Sequence, residues 1–363
     1  MKTITTLRVL YCGKGDTLLI ETSPGKDAPS EWALIDCHLT KVSGARQRIR
    51  DIITREQITK LKFVCLSHPD RDHYFGMYEL LREHFYDSDK DQLSIDEFWD
   101  AGVDFRLLSS IAERLGTKAI KQELDELYNF IMPLSLSDKI DHYPMPQGRL
   151  SKIDFGQFDF FSLSPRTNRV DRFNQQTLDD ILGAPYEDLY YQEEESNNLS
   201  VVLVLMHKTL PLNIILGGDA TAKAWEEALN LWPKFVEKLK RASPNFAAVK
   251  VSHHGAAGSL YPKLYEGYCK ERQSIAILTV GPNDQNHPHK KVLDMLSARN
   301  IRTYATCWPI DKSTSAKRCM PLPGSRSSEM INRSPRLTGY GWADIKVFIQ
   351  SNGRLTCSSH YLI

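Results

Sequence analysis

Four side chains that commonly bind metals stand within six residues of the chain, between His68 and His73. Between the two histidines lie Asp70 and Asp72, and the segment follows the apolar run 63–66. A loop that leaves a strand can turn several side chains towards one point, and imidazole together with carboxylate suits divalent transition metals. The alternative without a function is a charged surface turn in which the two histidines bind nothing. We interpret the segment as a metal-binding loop.

Three further clusters each follow an apolar run. A Gly-Gly pair precedes Asp219, so a tight turn could present a carboxylate whose two oxygens bridge two cations. The adjacent pair His253 and His254 points in different directions, so we expect only one of them to be a ligand. His287 and His289 could contact an anionic substrate or serve as proton donors. Each cluster alone is weak evidence, and their joint occurrence is stronger.

The elements that must position these clusters are predicted from short apolar runs separated by turns or helical patterns. Helical spacing is present at 43–60, 221–241 and 289–299. Strand runs mixed with such helices predict an α/β fold with two packed sheets flanked by helices. The predicted strands are Leu7 to Tyr11, Leu18 to Thr22, Trp32 to Ile35, Phe63 to Leu66, Ile153 to Leu163, Ser200 to Met206, Asn213 to Leu216, Ala247 to Val251, Ile275 to Val280 and Ile345 to Ile349.

Two segments stand apart from this pattern within what we interpret as a single domain, 1–363. Residues 77–148 carry apolar residues at helical spacing, which predicts a helical insertion that acts as a solvated cap or a partner-binding surface. The polar stretch 165–198, acidic in its latter half, is too long for an ordinary connection. We predict a long loop there, as a lid, a binding loop or a mobile segment, although acidic runs are usually just solvated.

The composition is that of an ordinary globular protein, with 41% hydrophobic and 25% charged residues among 363. The net charge of +1 does not indicate any class of binding partner. We expect no membrane span and no signal peptide. The seven cysteines include no Cys-x-x-Cys pair, which favours free thiols in a reducing cytoplasm.

Taken in order, the motifs resemble the soluble hydrolase domain of the ComEC-like branch of the metallo-β-lactamase superfamily, named for the bacterial competence DNA-uptake channel. The resemblance spans most of the chain and leaves out mainly 77–148, 165–196 and the tail. It is carried by Val9 to Asp16 with its Gly-x-Gly-Asp turn, Ala33 to Asp36, the His-x-Asp-x-Asp-His loop at 68–73, Asn197 to Ser200, Gly217 to Asp219, His253 to Gly255, and His287 to His289 followed by Val292 and Leu293.

The resemblance implies an αββα sandwich with two divalent metal ions, Zn²⁺ or Mn²⁺. It implies that His68 and Asp70 serve the first metal, and that Asp72 and His73 serve the second. By the same resemblance Asp219 bridges the two ions, and His253 or His254 completes the second site. Two cations can activate a hydroxide for attack on a phosphodiester. Asp72, His287 and His289 are the candidates for catalytic roles.

The chain departs from the wider superfamily at three positions. Asp70 stands where the commoner first motif has histidine, as it does in this branch, and the oxygen-rich site makes Mn²⁺ as credible as Zn²⁺. The separate histidine of the third motif has no counterpart, and Asn198 stands near its place. Cys37 and His38 replace a Gly-rich turn.

The preferred substrate is DNA, bound without sequence specificity. Relatives by motif include nucleases, and a basic excess between 281 and 340 could follow a phosphate backbone or form a solvated tail. Two alternatives remain open: a small-molecule hydrolase acting on a lactone, thioester or phosphoester, and a partner-regulated subunit that docks through 77–148 or 165–198. The basic residues are Lys290, Lys291, Arg299, Arg302, Lys312, Lys317, Arg318, Arg326, Arg333 and Arg336.

Overall fold

Two β-sheets packed against each other form the centre of the molecule, seen here in a computed structural model. The structure describes residues 3–23, 29–40, 44–90, 92–183, 196–240, 243–281, 284, 286–311 and 337–361. For residues 3–4, 308–311, 337–343 and 359–361 it describes the backbone alone.

The first sheet has nine strands, with the path β15-β16-β1-β2-β3-β4-β7-β8 and β17 paired to β16. Its first half is antiparallel up to the pair of β2 with β3, whereas β3, β4, β7 and β8 run parallel to one another. The strands are β1 (Thr3–Val9), β2 (Thr17–Thr22), β3 (Glu31–Cys37), β4 (Leu61–Cys65), β7 (Ile95–Asp100), β8 (Asp141–Pro144), β15 (Cys307–Asp311), β16 (Leu337–Gln350) and β17 (Leu355–Tyr361). A separate two-stranded ribbon consists of β5 (Tyr86–Asp87) and β6 (Gln92–Leu93).

The second sheet has six strands in the order β14-β13-β12-β11-β10-β9. Strands β11 to β14 are parallel, and β9 and β10 pair antiparallel at one edge. The strands are β9 (Phe158–Ser164), β10 (Val202–His207), β11 (Asn213–Leu216), β12 (Phe246–Lys250), β13 (Ile275–Leu278) and β14 (Arg302–Ala305).

Alternate side chains of the second sheet belong to two different hydrophobic clusters, because successive side chains point to opposite faces of a strand. Leu203 and Leu205 join the core shared with the first sheet. Val204 and Met206 join a second cluster with the helices. A strand covered on both faces carries no polar alternation, and all six residues of β10 are buried.

Helices cover the outer faces of this sandwich. Helix α1 (Ala45–Arg55) buries Ile49, Ile52 and Ile53 at helical spacing in the cluster of the first sheet. On the second sheet lie α7 (Ala222–Lys238), α8 (Pro262–Tyr268) and α9 (Lys290–Ala298). The predicted α/β class with two packed sheets flanked by helices is confirmed, and every predicted strand overlaps an observed one.

The segment 77–148 is helical only in part. It contains α3 (Met77–His84), α4 (Phe105–Arg114) and α5 (Lys118–Leu136), as the helical spacing predicts. However, β7 and β8 also lie in it and extend the first sheet beside β4. The prediction of a helical insertion is wrong for these two strands. The pattern concealed them because β7 contains consecutive acidic residues and β8 is a polar edge strand.

The loop predicted over 165–198 is wrong for its first half, which forms helix α6 (Thr167–Gly183). Within this helix Val170 and Thr177 are the buried residues, and it packs beside α4. A helix with so few buried positions shows little apolar periodicity in its sequence. The most acidic part of the prediction, at 184–195, lies outside the described residues.

The six cysteines in the described part of the chain all have free thiols, and five of them are buried. Among the described residues no helix is long and apolar enough to cross a membrane.

Candidate metal centre

The predicted ligands lie where strands of both sheets end. In the first sheet the loop 66–70 follows β4, and the one-turn helix α2 (Arg71–Tyr74) carries the remaining predicted ligands of the metal-binding loop. In the second sheet the parallel strands β11 and β12 end side by side and lead into the turns before Asp219 and His253. A Cβ on Gly217 would lie 2.2 Å from the Ser252 hydroxyl, and Gly218 has a φ of +50°, so the tight turn requires both glycines.

Asp72, His73, Asp219 and His254 form a four-donor cluster in which all ligand atoms lie within 4.8 Å of one another. His73 Nε2 is 3.4 Å from Asp219 Oδ1. His254 Nε2 is 3.4 Å from Asp72 Oδ2 and 3.6 Å from Asp219 Oδ2. Three of the four residues are buried, and Asp72 is partly exposed. The structure thus brings together the residues predicted for the second metal.

His68 and Asp70, predicted for the first metal, form a two-donor pair beside this cluster. His68 Nε2 lies 3.5 Å from Asp70 Oδ2, and the His68 ring is 4.0 Å from that of His73 between centroids. Asp70 Oδ1 accepts a hydrogen bond from Ser196 Oγ at 2.8 Å. This serine lies near the end of the polar stretch 165–198, and the sequence analysis assigned it no role.

Hydrogen bonds on the far side of two imidazoles orient them towards the cluster. Asp36 Oδ2 accepts from His73 Nδ1 at 2.8 Å, and both oxygens of Asp36 also accept from Ser67. His254 Nδ1 donates to the carbonyl of Thr279 at 2.7 Å. When Nδ1 carries the proton, Nε2 presents its lone pair, which is how metal-binding histidines are commonly held.

Buried nitrogen and oxygen atoms at the centre make no hydrogen bond within the described residues. Among them are Nε2 of His68, His73 and His254 and Oδ1 of Asp219. Buried polar atoms are nearly always satisfied, because burying one without a partner costs free energy. Three imidazole nitrogens and several carboxylates that converge in this way fit a divalent transition metal.

The electrostatic fields at the centre move pKa values in opposite directions. Burial alone would raise the pKa of Asp219, but the neighbouring His254 and His73 outweigh burial and lower it well below its ordinary value. Burial would lower the pKa of His73, yet Asp219 and Asp36 raise it well above 6.5, and the pKa of His254 is also raised against burial by Asp219. The raised pKa values favour the protonated imidazoles in the metal-free protein, so a cation competes with protons for these nitrogens.

The adjacent histidines take different places because both adopt left-handed backbone conformations, with φ of 48° at His253 and 52° at His254. His254 is fully buried and belongs to the four-donor cluster. His253 is partly exposed at the rim, with Nε2 3.9 Å from Asp219 Oδ2, and burial lowers its pKa to about 4. Of the two candidates, His254 is the one in position to be a ligand.

The structure places His287 and His289 in different surroundings, the first beside His253 and the second at the start of α9. His287 stacks on His253 with 5.4 Å between ring centroids, and its Nδ1 is bonded to Asp284 Oδ2 at 2.9 Å. His289 caps α9, where its Nδ1 accepts from the backbone N–H of Lys291 at 3.2 Å. In the described part of the chain no ion pair or hydrogen bond joins the His289 side chain to the four-donor cluster.

Sequence reasoning missed a buried lysine at the centre. Lys250 is 1% exposed and forms an ion pair with Asp16, while its Nζ lies 3.6 Å from Asp219 Oδ1. Asp16 entered the prediction only as part of a turn motif, and Asp36 only as the end of a strand. The available signal was a charged residue inside the apolar run 247–251, which is rare in a buried strand unless the charge is paired.

Comparison with known proteins gives partial likenesses. No family model matches the chain. A segment of 111 residues is 32% identical to part of ComE operon protein 3 from Bacillus subtilis (strain 168). That match covers 30% of this chain and 12% of the Bacillus protein.

Three solved structures are similar over most of this chain. Unliganded yeast PDE1 has a TM-score of 0.45 and 12% identity, covering 84% of this chain and 98% of that one. A diphosphatase from the PhnP family has a TM-score of 0.37 and 9% identity, covering 83% and 85%. A beta-lactamase domain protein from Burkholderia ambifaria has a TM-score of 0.37 and 14% identity, covering 76% and 65%.

Proposed function

We propose that this chain is a metal-dependent phosphodiesterase that cleaves DNA without sequence specificity, on a metallo-β-lactamase-type αββα scaffold. One observation carries the proposal. Buried Nε2 atoms of three histidines and a buried carboxylate oxygen converge without hydrogen bonds at the ends of strands from both sheets. Such a set is costly unless a cation occupies it.

The charges at the centre support two divalent ions. One lysine, Lys250, stands against five carboxylates, which leaves a charge of −4 when the imidazoles are neutral. Two divalent cations supply +4. Charges in a low-dielectric interior must be nearly balanced, because an unpaired ion there costs several kcal/mol. The carboxylates are those of Asp16, Asp36, Asp70, Asp72 and Asp219.

The donors divide into two groups. His68 and Asp70 would hold one ion, and Asp72, His73 and His254 would hold the other. Asp219 would be shared by the two ions, as the resemblance to the ComEC-like branch implies, and its two oxygens face His73 and His254 in the four-donor cluster. When bound, two such cations lower the pKa of a water to about 7 and neutralise the charge of a phosphoryl group.

Groups at the rim would act on the substrate. His287 is held by Asp284 and stacks on His253, so its ring has a fixed place beside the four-donor cluster. A histidine so placed could donate a proton to the leaving oxygen of a phosphodiester. His289 is engaged as a helix cap, so we assign the proton-donor role to His287.

Exposed lysines near the rim favour a polyanionic substrate such as DNA over a neutral lactone or thioester substrate. Lys14 is exposed, and its positive charge is close enough to His253 to help lower the pKa of that histidine, after burial and other neighbours. Helix α9 begins beside the centre, because the His289 N–H bonds the carbonyl of Gly255, and Lys291 is exposed in its first turn. Lysines in such positions can neutralise backbone phosphates without reading sequence.

Nicking of plasmid and single-stranded DNA tests the proposal directly. The purified chain is assayed with Mn²⁺, Mg²⁺ or Zn²⁺ and compared with Asp72→Ala and with Asp171→Ala, an exposed carboxylate on α6. We expect Asp72→Ala to lose at least about 100-fold in rate, and Asp171→Ala to match the wild type. Equal rates for both variants would refute the metal assignment. Hydrolysis of small chromogenic diesters without DNA nicking would favour a small-molecule hydrolase.

Regulation by a protein partner stays a prediction, and one contact bears on it. Arg71, between Asp70 and Asp72 in sequence, makes two hydrogen bonds of 2.8 and 2.7 Å to Glu123 on α5. The metal-binding loop is thereby tied to the helical segment that a partner could contact. A pull-down from the native cell, repeated with Glu123→Gln, tests whether a partner engages this segment.

A further inference from the structure

The buried ammonium of Lys250 has three neighbours at the metal centre. Its Nζ forms an ion pair with Asp16, donates to the carbonyl of Gly218 at 3.0 Å, and lies 3.6 Å from Asp219 Oδ1. The side chain is 1% exposed. The proposed function counts the charge of this lysine and assigns it no other role, although its Nζ lies within 4 Å of a carboxylate of the four-donor cluster.

The position of Lys250 follows from strand pairing. Lys250 is in register with Leu216 on the parallel strand β11, the strand that leads into the turn before Asp219. Its bond to the Gly218 carbonyl therefore holds the peptide immediately before the shared carboxylate. The N–H of His253 donates to the same carbonyl at 3.1 Å, and the Asp219 N–H donates to Ser200 Oγ at 3.1 Å. The backbone at Asp219 is thus fixed on both sides.

The partner of the lysine, Asp16, lies behind the two ligand histidines. Its carboxylate oxygens are 4.0 Å from His73 Nδ1 and 3.8 Å from His254 Nδ1, on the side of each ring that faces away from the cluster. The Asp16–Lys250 pair has no net charge. Buried ion pairs are often no more stabilising than apolar residues of similar volume, so stability alone does not account for this one.

We propose that Lys250 is a positioning residue for Asp219. By fixing the Gly218–Asp219 peptide, its ammonium keeps Oδ1 of the carboxylate towards His73 and Oδ2 towards His254. This inference rests on the proposed metal centre, and it assigns to Lys250 part of the affinity of that centre for metal.

A charge-neutral double variant tests the role. Replacing the lysine alone leaves Asp16 buried without a partner and could unfold the chain. The double variant Asp16→Asn with Lys250→Met removes one charge of each sign, so the net charge at the centre is unchanged. We expect it to fold, and to bind Mn²⁺ about 10- to 100-fold more weakly than the wild type in equilibrium dialysis.

The control is Asp100→Asn. Asp100 is a buried carboxylate bonded to His142 Nε2 and to the N–H of Gly102, both at 2.7 Å, in another part of the first sheet. This variant should melt at a lower temperature and bind Mn²⁺ as the wild type does. A folded double variant with wild-type affinity would overturn the role of Lys250 alone. A double variant that does not fold would make the pair a folding element and also overturn it. A wild type that binds no metal would instead overturn the proposed function.

Discussion

The two halves of the metal centre are built differently. The four-donor cluster draws its ligands from both sheets: Asp72 and His73 from the loop after β4, Asp219 from the end of β11, and His254 from the end of β12. The two-donor pair of His68 and Asp70 comes from that single loop. Donors fixed by separate strands keep their geometry without metal, whereas two donors of one loop depend on how that loop is held.

This difference predicts that the four-donor cluster and the two-donor pair have different affinities for metal. In the four-donor cluster, Asp36 and Thr279 fix the histidine rings from behind. In the two-donor pair, Ser67 Oγ lies 3.1 Å from His68 Nδ1 and Ser196 Oγ donates to Asp70 Oδ1, and both of these serines lie outside the strands. We therefore expect one tightly bound ion at the four-donor cluster and one exchangeable ion at the pair.

Asp219→Asn should have the largest effect, because the oxygens of this residue face both histidines of the four-donor cluster and the proposed function shares it with the two-donor pair. An amide oxygen is a weaker ligand than a carboxylate and carries no charge. We expect a loss of at least about 100-fold in metal affinity, with DNA cleavage at background. Metal analysis by mass spectrometry and the nicking assay check this result, with Asp171→Asn as the control. Retention of both ions in Asp219→Asn would show that the halves do not share a ligand.

Asp70→Ala and Asp72→Ala should separate the two halves. Asp70→Ala removes a donor of the pair, so the bound metal should fall from two ions to one while the tight ion remains. Asp72→Ala removes a donor of the cluster and should weaken the tight ion. Ser196→Ala should reproduce a milder form of the first effect, about 10-fold in affinity for the exchangeable ion. Identical titration curves for the two aspartate variants would break the comparison.

Proton release should distinguish the cluster from the pair. The pKa values of His73 and His254 are raised, and these groups keep their protons above pH 6.5 in the metal-free protein. Metal affinity at the cluster should therefore rise as pH increases beyond 6.5. Binding of the tight ion near pH 7 should release protons, which calorimetry in buffers of different ionisation heat detects. Asp36→Asn removes a charge that raises the pKa of His73, so release should fall.

The same pKa shifts have the opposite consequence for the stability of the metal-free chain. A histidine whose pKa is higher in the folded than in the unfolded state stabilises the fold below the unfolded value of about 6.5. That contribution is lost as pH rises through the folded pKa. Chelator-treated protein should thus lose stability as pH rises above 6.5, whereas the affinity of the protein for metal increases over the same range. If the melting temperatures of the metal-free and metal-loaded forms changed with pH in the same way, that result would contradict these protonation states.

The smallest effects on metal affinity are expected at the rim. His287→Ala should lower the rate of cleavage about 100-fold through loss of a proton donor and leave metal affinity unchanged. His289→Ala should leave the rate nearly unchanged and cost about 1 kcal/mol of stability through loss of a helix cap. Steady-state kinetics and denaturant unfolding measure the two quantities. A larger loss of rate in His289→Ala than in His287→Ala would reverse the assignment.

Apolar strands and the residues after them were predictable, because short apolar runs such as β10 and β11 are typical of buried strands in a globular protein. Strands β7 and β8 were not, since consecutive acidic residues interrupt the apolar residues of β7, and β8 is a polar edge strand that pairs only with β7 in the described sheet. Helix α6 was missed because only a small part of its surface is buried. Local patterns report burial, and polar elements such as β8 and α6 show little of it.

In the site, sequence identified the residues that present ligand atoms and missed the residues that hold them. His73 and Asp219 stand in recognisable motifs, whereas Asp36, Ser196 and Lys250 are single polar residues far apart in the chain. Which of His253 and His254 turns inward also depends on backbone angles that a sequence does not display. The supporting contacts are tertiary, so only the assembled sheets bring them together.

The left-handed backbone at positions 253 and 254 has a consequence for protein engineering. Left-handed conformations cost roughly 1–2 kcal/mol for a residue with a side chain, and glycine adopts them freely. A selection for thermal stability alone should therefore replace His253 by glycine or asparagine, while the buried His254 is retained as long as metal is supplied. A selection for catalysis should restore histidine at 253. If the two selections favoured different residues at position 253, this position would be one at which activity is gained at the expense of stability.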